Sequence, residues 1–140
     1  MTRHIYFEKD VKQSLSSHFL STELQCQCKY KSCVEQKISQ DLLDKLEIVR
    51  NKYGKPLKIT SAYRCEKHQA YLRKSGIQTA VNKSQHELGN AVDVRPLGMS
   101  EDNMDELFEL LETEFQAIGI AKNFYHVDVR SDKTRRWDYV

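Results

Sequence analysis

Residues that bend or interrupt a chain are scarce in this sequence, which has two prolines and five glycines among 140 residues. It contains no apolar run of about 18 residues, the length that a membrane-spanning helix needs, so we expect no membrane insertion. The first ten residues contain no apolar signal core, and we therefore expect a cytoplasmic location. The net charge of +2 is too small to indicate nucleic-acid binding.

What is present fits a single globular domain. Hydrophobic residues make up 39% of the chain and charged residues 30%, and a chain of 140 residues is long enough to enclose a core. The sequence shows no internal repeat, low-complexity tract or linker. We expect one monomeric domain over 1–140, with an irregular lead-in at 1–20 and a charged tail at 131–140.

Apolar periodicity predicts a mixture of helices and strands. The clearest helix is predicted over 39–53, with Ser39 as its N-cap and Gly54 as its stop signal. Other helices are predicted over 66–74 and after Ser100, and strands are predicted over 57–62, 91–94, 118–121 and 124–130. Because strands and helices do not alternate regularly, the fold class should be α+β, a small and largely antiparallel sheet with helices packed outside.

The stretch 84–94 combines a histidine and an aspartate with small residues between them. Its end alternates like a strand, so Asp93 should face away from the valines on either side, and His86 lies in the loop before it. A second strand-like run places His126 and Asp128 on one face. Two histidines and one aspartate that converge on a point suit zinc, with a fourth position open for water.

These residues resemble the zinc D-Ala-D-Ala carboxypeptidase family. The matching pattern is Ser-x-His-x-x-Gly-x-Ala-x-Asp over 84–93 and His-x-Asp over 126–128, and the resemblance extends from about residue 19 to residue 137. Relatives include L-alanyl-D-glutamate endopeptidases, D-Ala-D-Ala dipeptidases and the metal-binding domain of hedgehog proteins. The resemblance implies a zinc peptidase that cuts peptidoglycan stem peptides next to D-amino acids, with zinc in a groove on the sheet face, held by His86, Asp93 and His126.

The short single-domain form resembles phage endolysins. For a phage-encoded protein this implies the host cytoplasm as its location, with access to the cell wall after membrane lysis. The peptidoglycan peptide would be its partner, with no nucleic acid and no membrane insertion.

A second element also resembles the family. Thr60-Ser61-Ala62-Tyr63-Arg64 is similar to its Ser-Gly-Tyr-Arg motif, with alanine in place of glycine, which implies that Arg64 contacts substrate at the edge of the active site. A guanidinium suits a bidentate contact with a carboxylate. Ser84 is expected to bond locally or to substrate. His68 matches a family histidine that is usually followed by asparagine, whereas Gln69 follows it here.

The general base is the least defined position. Several relatives have a carboxylate three residues before the last zinc histidine, where this chain has Asn123. Asp128 could act as the base, or it could orient the ligand His126. Glu87 is a further option. Because an asparagine cannot accept the proton, the alternative function is a non-catalytic zinc-binding, hedgehog-like domain with a structural or virion-associated role.

The chain has four cysteines, and three of them fall in one short segment. A structural zinc site is one interpretation, but Cys-x-Cys-x4-Cys is not a regular knuckle spacing, and we expect reduced, partly buried thiols instead. A nucleic-acid-binding zinc protein is disfavoured because no basic stripe or aromatic platform accompanies the cysteines. The four residues are Cys26, Cys28, Cys33 and Cys65.

Overall fold

The computed structural model describes residues 3–77 and 84–139. Within these ranges the strands are β1 His4–Glu8, β2 Glu35–Ser39, β3 Leu57–Ser61, β4 Ala91–Pro96, β5 Ala117–Ile120, β6 Tyr125–Asp128 and β7 Arg135–Asp138. The helices are α1 Ser21–Leu24, α2 Gln40–Tyr53, α3 Glu66–Lys74 and α4 Glu101–Glu114. In the same ranges, no helix has both the length and the apolar character needed to cross a membrane.

The larger sheet has five strands in the order β3-β4-β6-β5-β7, and only the β5–β7 pair is parallel. Strands β1 and β2 form a separate antiparallel pair. This arrangement confirms the predicted α+β class with a largely antiparallel sheet. It differs from the sequence analysis at both ends of the chain, because β1 lies in the expected irregular lead-in and β7 lies in the expected tail.

Each difference at the ends has a packing reason. In β1, Phe7 is 7% exposed and belongs to the core, and the strand pairs residue by residue with β2. In β7, Trp137 lies against Gly119 of the neighbouring β5, where a side chain would collide with the indole ring. The sequence indicates that Trp137 packs, but the charged residues around it give no sign of a strand.

The two long helices begin as predicted. The Ser39 hydroxyl accepts a hydrogen bond from the Leu42 N–H at 3.2 Å, and the Ser100 hydroxyl accepts one from the Asn103 N–H at 3.1 Å. Helix α2 ends at Gly54, which has a φ of 74° and therefore adopts the left-handed conformation that glycine tolerates best. Local capping thus fixes the bounds of the elements that cover one face of the sheet.

The core lies between these helices and the sheet. Val92 and Val94 of β4 and Val127 of β6 are fully buried in the same apolar cluster as residues of α2 and α4. Side chains alternate along a strand, so Asp93 and His126 point to the opposite face. The cluster members from the two helices are Leu42, Leu43, Leu46, Val49, Tyr53, Leu107 and Leu111.

Substitution of Gly119 should show how tightly β7 is held. A Cβ at this position would lie 2.6 Å from Cε2 of Trp137, so Gly119→Ala should destabilise the protein by about 1–3 kcal/mol in urea unfolding. Gly98→Ala is the matched control, because its Cβ would meet nothing closer than 3.7 Å. Equal stability of the two variants would mean that Trp137 is not packed against Gly119.

Candidate metal centre

Three polar side chains meet on the open face of the sheet. Asp93 and His126 are direct partners in the antiparallel β4–β6 pair, and His86 reaches them from the loop before β4. The Nδ1 of His126 lies 3.2 Å from both the Nε2 of His86 and the Oδ1 of Asp93. The His86 Nε2 lies 3.3 Å from the same Asp93 oxygen. The three residues are at most 5% exposed, and their ligand-type atoms form a compact triangle.

Local hydrogen bonds in the loop fix the position of His86. Its N–H donates to the Ser84 hydroxyl at 3.1 Å, and its carbonyl accepts from the Gly89 N–H at 3.2 Å. Gly89 has a φ of 74°, and a Cβ there would lie 2.9 Å from the carbonyl oxygen of Lys37. Glycine is therefore required at this position both by its backbone conformation and by the approach of the neighbouring strand.

The outer hydrogen bonds of both histidines determine where their lone pairs point. The Nδ1 of His86 lies 2.7 Å from the Ala62 carbonyl, which can only accept, so this nitrogen carries the proton. The Nε2 of His126 lies 2.8 Å from Oδ2 of Asp128 and donates to it in the same way. Each ring then has its lone pair on the nitrogen that faces the triangle. In their neutral forms the two rings therefore offer two nitrogen lone pairs beside a carboxylate oxygen, a donor set that fits a bound cation such as zinc.

The carboxylate of Asp128 is fully occupied by hydrogen bonds from His126 and Arg130. Its Oδ1 accepts from the backbone N–H and the Nε–H of Arg130 at 3.0 and 2.9 Å. Its Oδ2 accepts from Nη2 of Arg130 and from His126, both at 2.8 Å. Although burial opposes ionisation, the hydrogen bonds from His126 and Arg130 lower the pKa of Asp128 to about 2. The carboxylate is therefore ionised; Arg130 holds it in place, and its Oδ2 orients the His126 ring.

The pKa values of the two histidines are shifted in opposite directions. Burial lowers the pKa of His86 and outweighs the attraction of Asp93. His126 is equally buried, but its hydrogen bonds to Asp128 and Asp93 outweigh that effect and raise its pKa. Asp93 has a pKa well below its usual range, because the two histidines more than offset the cost of its burial. Asp93 is therefore ionised and carries the negative charge of the triangle.

A cleft of about 670 Å³ opens over the triangle, and Arg64 lies on its wall. The Arg64 Nη2 is 3.5 Å from Oδ2 of Asp93, its Nε donates to Ser61 at 3.1 Å and its Nη1 donates to Gln69 at 3.3 Å. Its side chain is 13% exposed. Ser84 and His68, the other predicted candidates, also line the cleft. The predicted site residues thus line one opening, except Asp128, which lies behind His126 and does not line the cleft.

Two residues considered for the base lie elsewhere. Within the described part of the chain, neither Glu87 nor Asn123 lines the cleft, and Asp93 is its one carboxylate. Asn123 is exposed in the turn between β5 and β6.

Sequence analysis missed three residues that complete the site. Arg130 follows Asp128 by two positions, a spacing that could have indicated a shared strand face. Trp137 packs its ring 5.3 Å from that of His126, centroid to centroid, and Tyr139 lines the cleft. The last two come from the charged C-terminal segment, where the sequence indicates packing for Trp137 alone and a place in the cleft for neither.

The buried His-His-Asp triangle at the floor of this cleft is a set of side chains that could hold a metal ion. The chain matches the family model for peptidase M15 over residues 17–128, and it therefore belongs to the peptidase M15 family, whose members are zinc-dependent peptidases. This confirms the family resemblance found in the sequence. No curated protein and no solved structure matches the chain.

Zinc affinity should depend on pH through His126. A metal ion and a proton compete for its Nδ1, so affinity should fall roughly tenfold per pH unit below the pKa of this ring. Because that pKa is raised, the fall should begin above about pH 6.5, the ordinary histidine value. Asp128→Asn removes one cause of the raised pKa and should move the onset to lower pH, while it also weakens affinity about 10–100-fold.

Competition with a zinc-binding dye over a pH series measures both effects. Glu109→Gln is the matched control, because this exposed carboxylate on α4 lies away from the cleft. An onset that stays at the same pH in Asp128→Asn would show that the Asp128–His126 hydrogen bond does not set the protonation of this ring.

Proposed function

We propose that this protein is a zinc peptidase that hydrolyses peptide bonds next to D-amino acids in peptidoglycan stem peptides. The observation that supports this most directly is the convergence of three lone pairs from His86, Asp93 and His126 at the floor of the cleft. Zinc bound there would polarise the scissile carbonyl and lower the pKa of a water molecule enough for it to attack at neutral pH. Membership of the peptidase M15 family supports the same class of reaction.

Charge in the cleft suits an anionic peptide. The cleft is lined by Arg64 and Arg130, with Asp93 as the one carboxylate among the described lining residues. Stem peptides carry free carboxylates, and a guanidinium binds a carboxylate in a fixed geometry. We assign Arg64 as the substrate anchor, because bonds to Ser61 and Gln69 hold its guanidinium within ion-pair distance of the proposed ligand Asp93. Ser84 is a further candidate contact for the substrate.

Proton transfer is better assigned to His68 than to Asp128. All four hydrogen bonds of Asp128 are directed to His126 and Arg130, and its pKa of about 2 makes it a weak base. His68 lines the cleft, and burial together with the charges of Arg64 and Lys9 lowers its pKa, so its ring is neutral near pH 7. We therefore propose His68 as the proton acceptor and Asp128 as a positioning residue that orients a metal ligand.

A non-catalytic zinc domain is the second candidate. The observation in its favour is that the described lining residues provide no carboxylate other than the proposed ligand Asp93. In this alternative the same triangle would hold zinc for stability, as in a hedgehog-like structural or virion-associated domain. For the catalytic function, we propose that the protein is a phage endolysin, which is made in the host cytoplasm and reaches the cell wall after membrane lysis.

Digestion of purified peptidoglycan by the zinc-loaded protein separates these functions. Free D-alanine would identify a carboxypeptidase, and new amino-terminal D-glutamate would identify an L-alanyl-D-glutamate endopeptidase. Arg64→Lys should lower kcat/KM roughly tenfold or more with zinc content unchanged, because it loses the bidentate contact. Arg50→Lys on α2 is the matched control, since this arginine does not line the cleft. Absence of any product from the wild type would support the non-catalytic domain.

The pH profile of the variants tests the proton acceptor. His68→Gln should lower kcat about 10²–10⁴-fold and remove the acidic limb of the kcat/KM profile, with zinc affinity unchanged. Asp128→Asn should act mainly through metal binding, so excess zinc should restore most of its activity. The reverse outcome, in which zinc fails to rescue Asp128→Asn and His68→Gln keeps its profile, would make Asp128 the base.

A further inference from the structure

The four cysteines gather into a second cluster, apart from the triangle. Cys26 and Cys28 follow α1, Cys33 precedes β2, and Cys65 is the N-cap of α3. Their Sγ atoms all lie within 4.8 Å of one another, and the first three residues are at most 8% exposed. All four are free, and the Cys28 and Cys65 sulfurs are 3.7 Å apart. A tetrahedral zinc ion with Zn–S bonds of about 2.3 Å requires sulfurs about 3.8 Å apart, close to the Cys28–Cys65 distance and within about 1 Å of the upper limit for the other pairs.

Each of the four sulfurs also accepts a hydrogen bond from an N–H group. The backbone N–H of Cys65 lies 3.3 Å from Sγ of Cys26, and that of His68 lies 3.4 Å from Sγ of Cys65. The side-chain nitrogens of Gln36 and Lys9 lie 3.4 Å from the sulfurs of Cys33 and Cys28. A neutral thiol is a weak acceptor, whereas a thiolate is a charged one. Donors at all four positions are therefore what a set of metal-bound thiolates needs.

The charge and softness of the cluster select the metal. Four thiolates around a divalent ion carry a net charge of −2, and Lys9, which also donates to the Cys28 carbonyl, offsets part of it. A tetrahedral set of four sulfurs suits zinc and disfavours hard cations. The cysteine spacing looks irregular in the sequence because the fourth sulfur comes from Cys65, a residue that the fold brings to the other three.

We propose that the chain binds a second zinc ion at Cys26, Cys28, Cys33 and Cys65, as a closed structural site. The ion would tie the loop between α1 and β2 to the start of α3, immediately after Arg64. Tyr63 already packs against the cysteines, and the Arg64 N–H donates to the carbonyl of His86 at 3.2 Å. The site is independent of the proposed peptidase activity, and it would hold the arginine-bearing segment against the cleft.

The variant His86→Ala/His126→Ala tests the site without altering a cysteine. Elemental analysis should find two zinc ions per chain in the wild type and one in this variant. X-ray absorption on the variant should show only sulfur ligands at about 2.3 Å, with no nitrogen or oxygen at about 2.0–2.1 Å. A zinc-free variant, iron in place of zinc, or disulfides found by mass spectrometry would overturn the proposal. Each would leave the peptidase assignment standing, because that rests on the other cluster.

The complementary variant is Cys33→Ser. It should lose one of the two zinc ions and keep the other, whose shell should then contain nitrogen and oxygen ligands at about 2.0–2.1 Å. Ser32→Ala, an exposed neighbour in the same loop, is the matched control and should retain both ions. A folded Cys33→Ser protein that still holds two zinc ions would overturn the four-cysteine assignment.

Discussion

The antiparallel register of β4 and β6 is the constraint on which the rest of the molecule depends. It sets Asp93 directly opposite His126 and, on the other face, Val92 opposite Val127. Side chains alternate with a period of two, so a slip of one residue would turn the polar pair into the core and the valines into the cleft. The same pairing therefore specifies the core and the candidate metal centre, and neither can change without the other.

The polar groups beneath the cleft are costly to bury unless they are matched. Within the triangle, the three ligand-type atoms lie 3.2–3.3 Å apart, and the charge of Asp93 is costly to bury without a proton or a metal ion beside it. Around it, the Ala62 carbonyl and the Asp128–Arg130 pair hold each ring in one orientation. The outer hydrogen bonds therefore preorganise a site that a cation would stabilise, so metal binding and folding should be coupled.

The sequence alone predicted those features that depend on local helix capping or on alternation along a single strand. Helix α2 follows from Ser39 and Gly54, and the convergence of His86, Asp93 and His126 follows from alternation in two short runs together with a family pattern. The parallel strand β7 could not be predicted in this way, because a charged segment becomes a strand only through its pairing with β5 and the contact of its tryptophan. Such contacts between distant segments leave no periodic signal.

The cysteine cluster is a second feature that could not be predicted from the sequence alone. Sequence spacing disfavours a metal site, because three cysteines lie within eight positions and the fourth is 32 residues later. Only the fold brings Cys65, the N-cap of α3, to the loop between α1 and β2, where its Sγ lies 3.7 Å from that of Cys28. A ligand set assembled from separate elements is therefore recognised from coordinates and not from a motif, whereas the His-His-Asp set could be recognised from both.

Four consecutive residues connect the two clusters. The Ala62 carbonyl fixes the ring of His86, Tyr63 packs on the cysteines, Arg64 lies 3.5 Å from Asp93, and Cys65 belongs to the sulfur cluster. A short segment held at both ends has little freedom, and a guanidinium fixed in this way loses less conformational entropy when it binds a carboxylate. The proposed structural zinc would then support the proposed anchor without touching the substrate. Arg64 lies between the two clusters, so the position of its guanidinium would depend on both, although each cluster would bind its metal independently of the other.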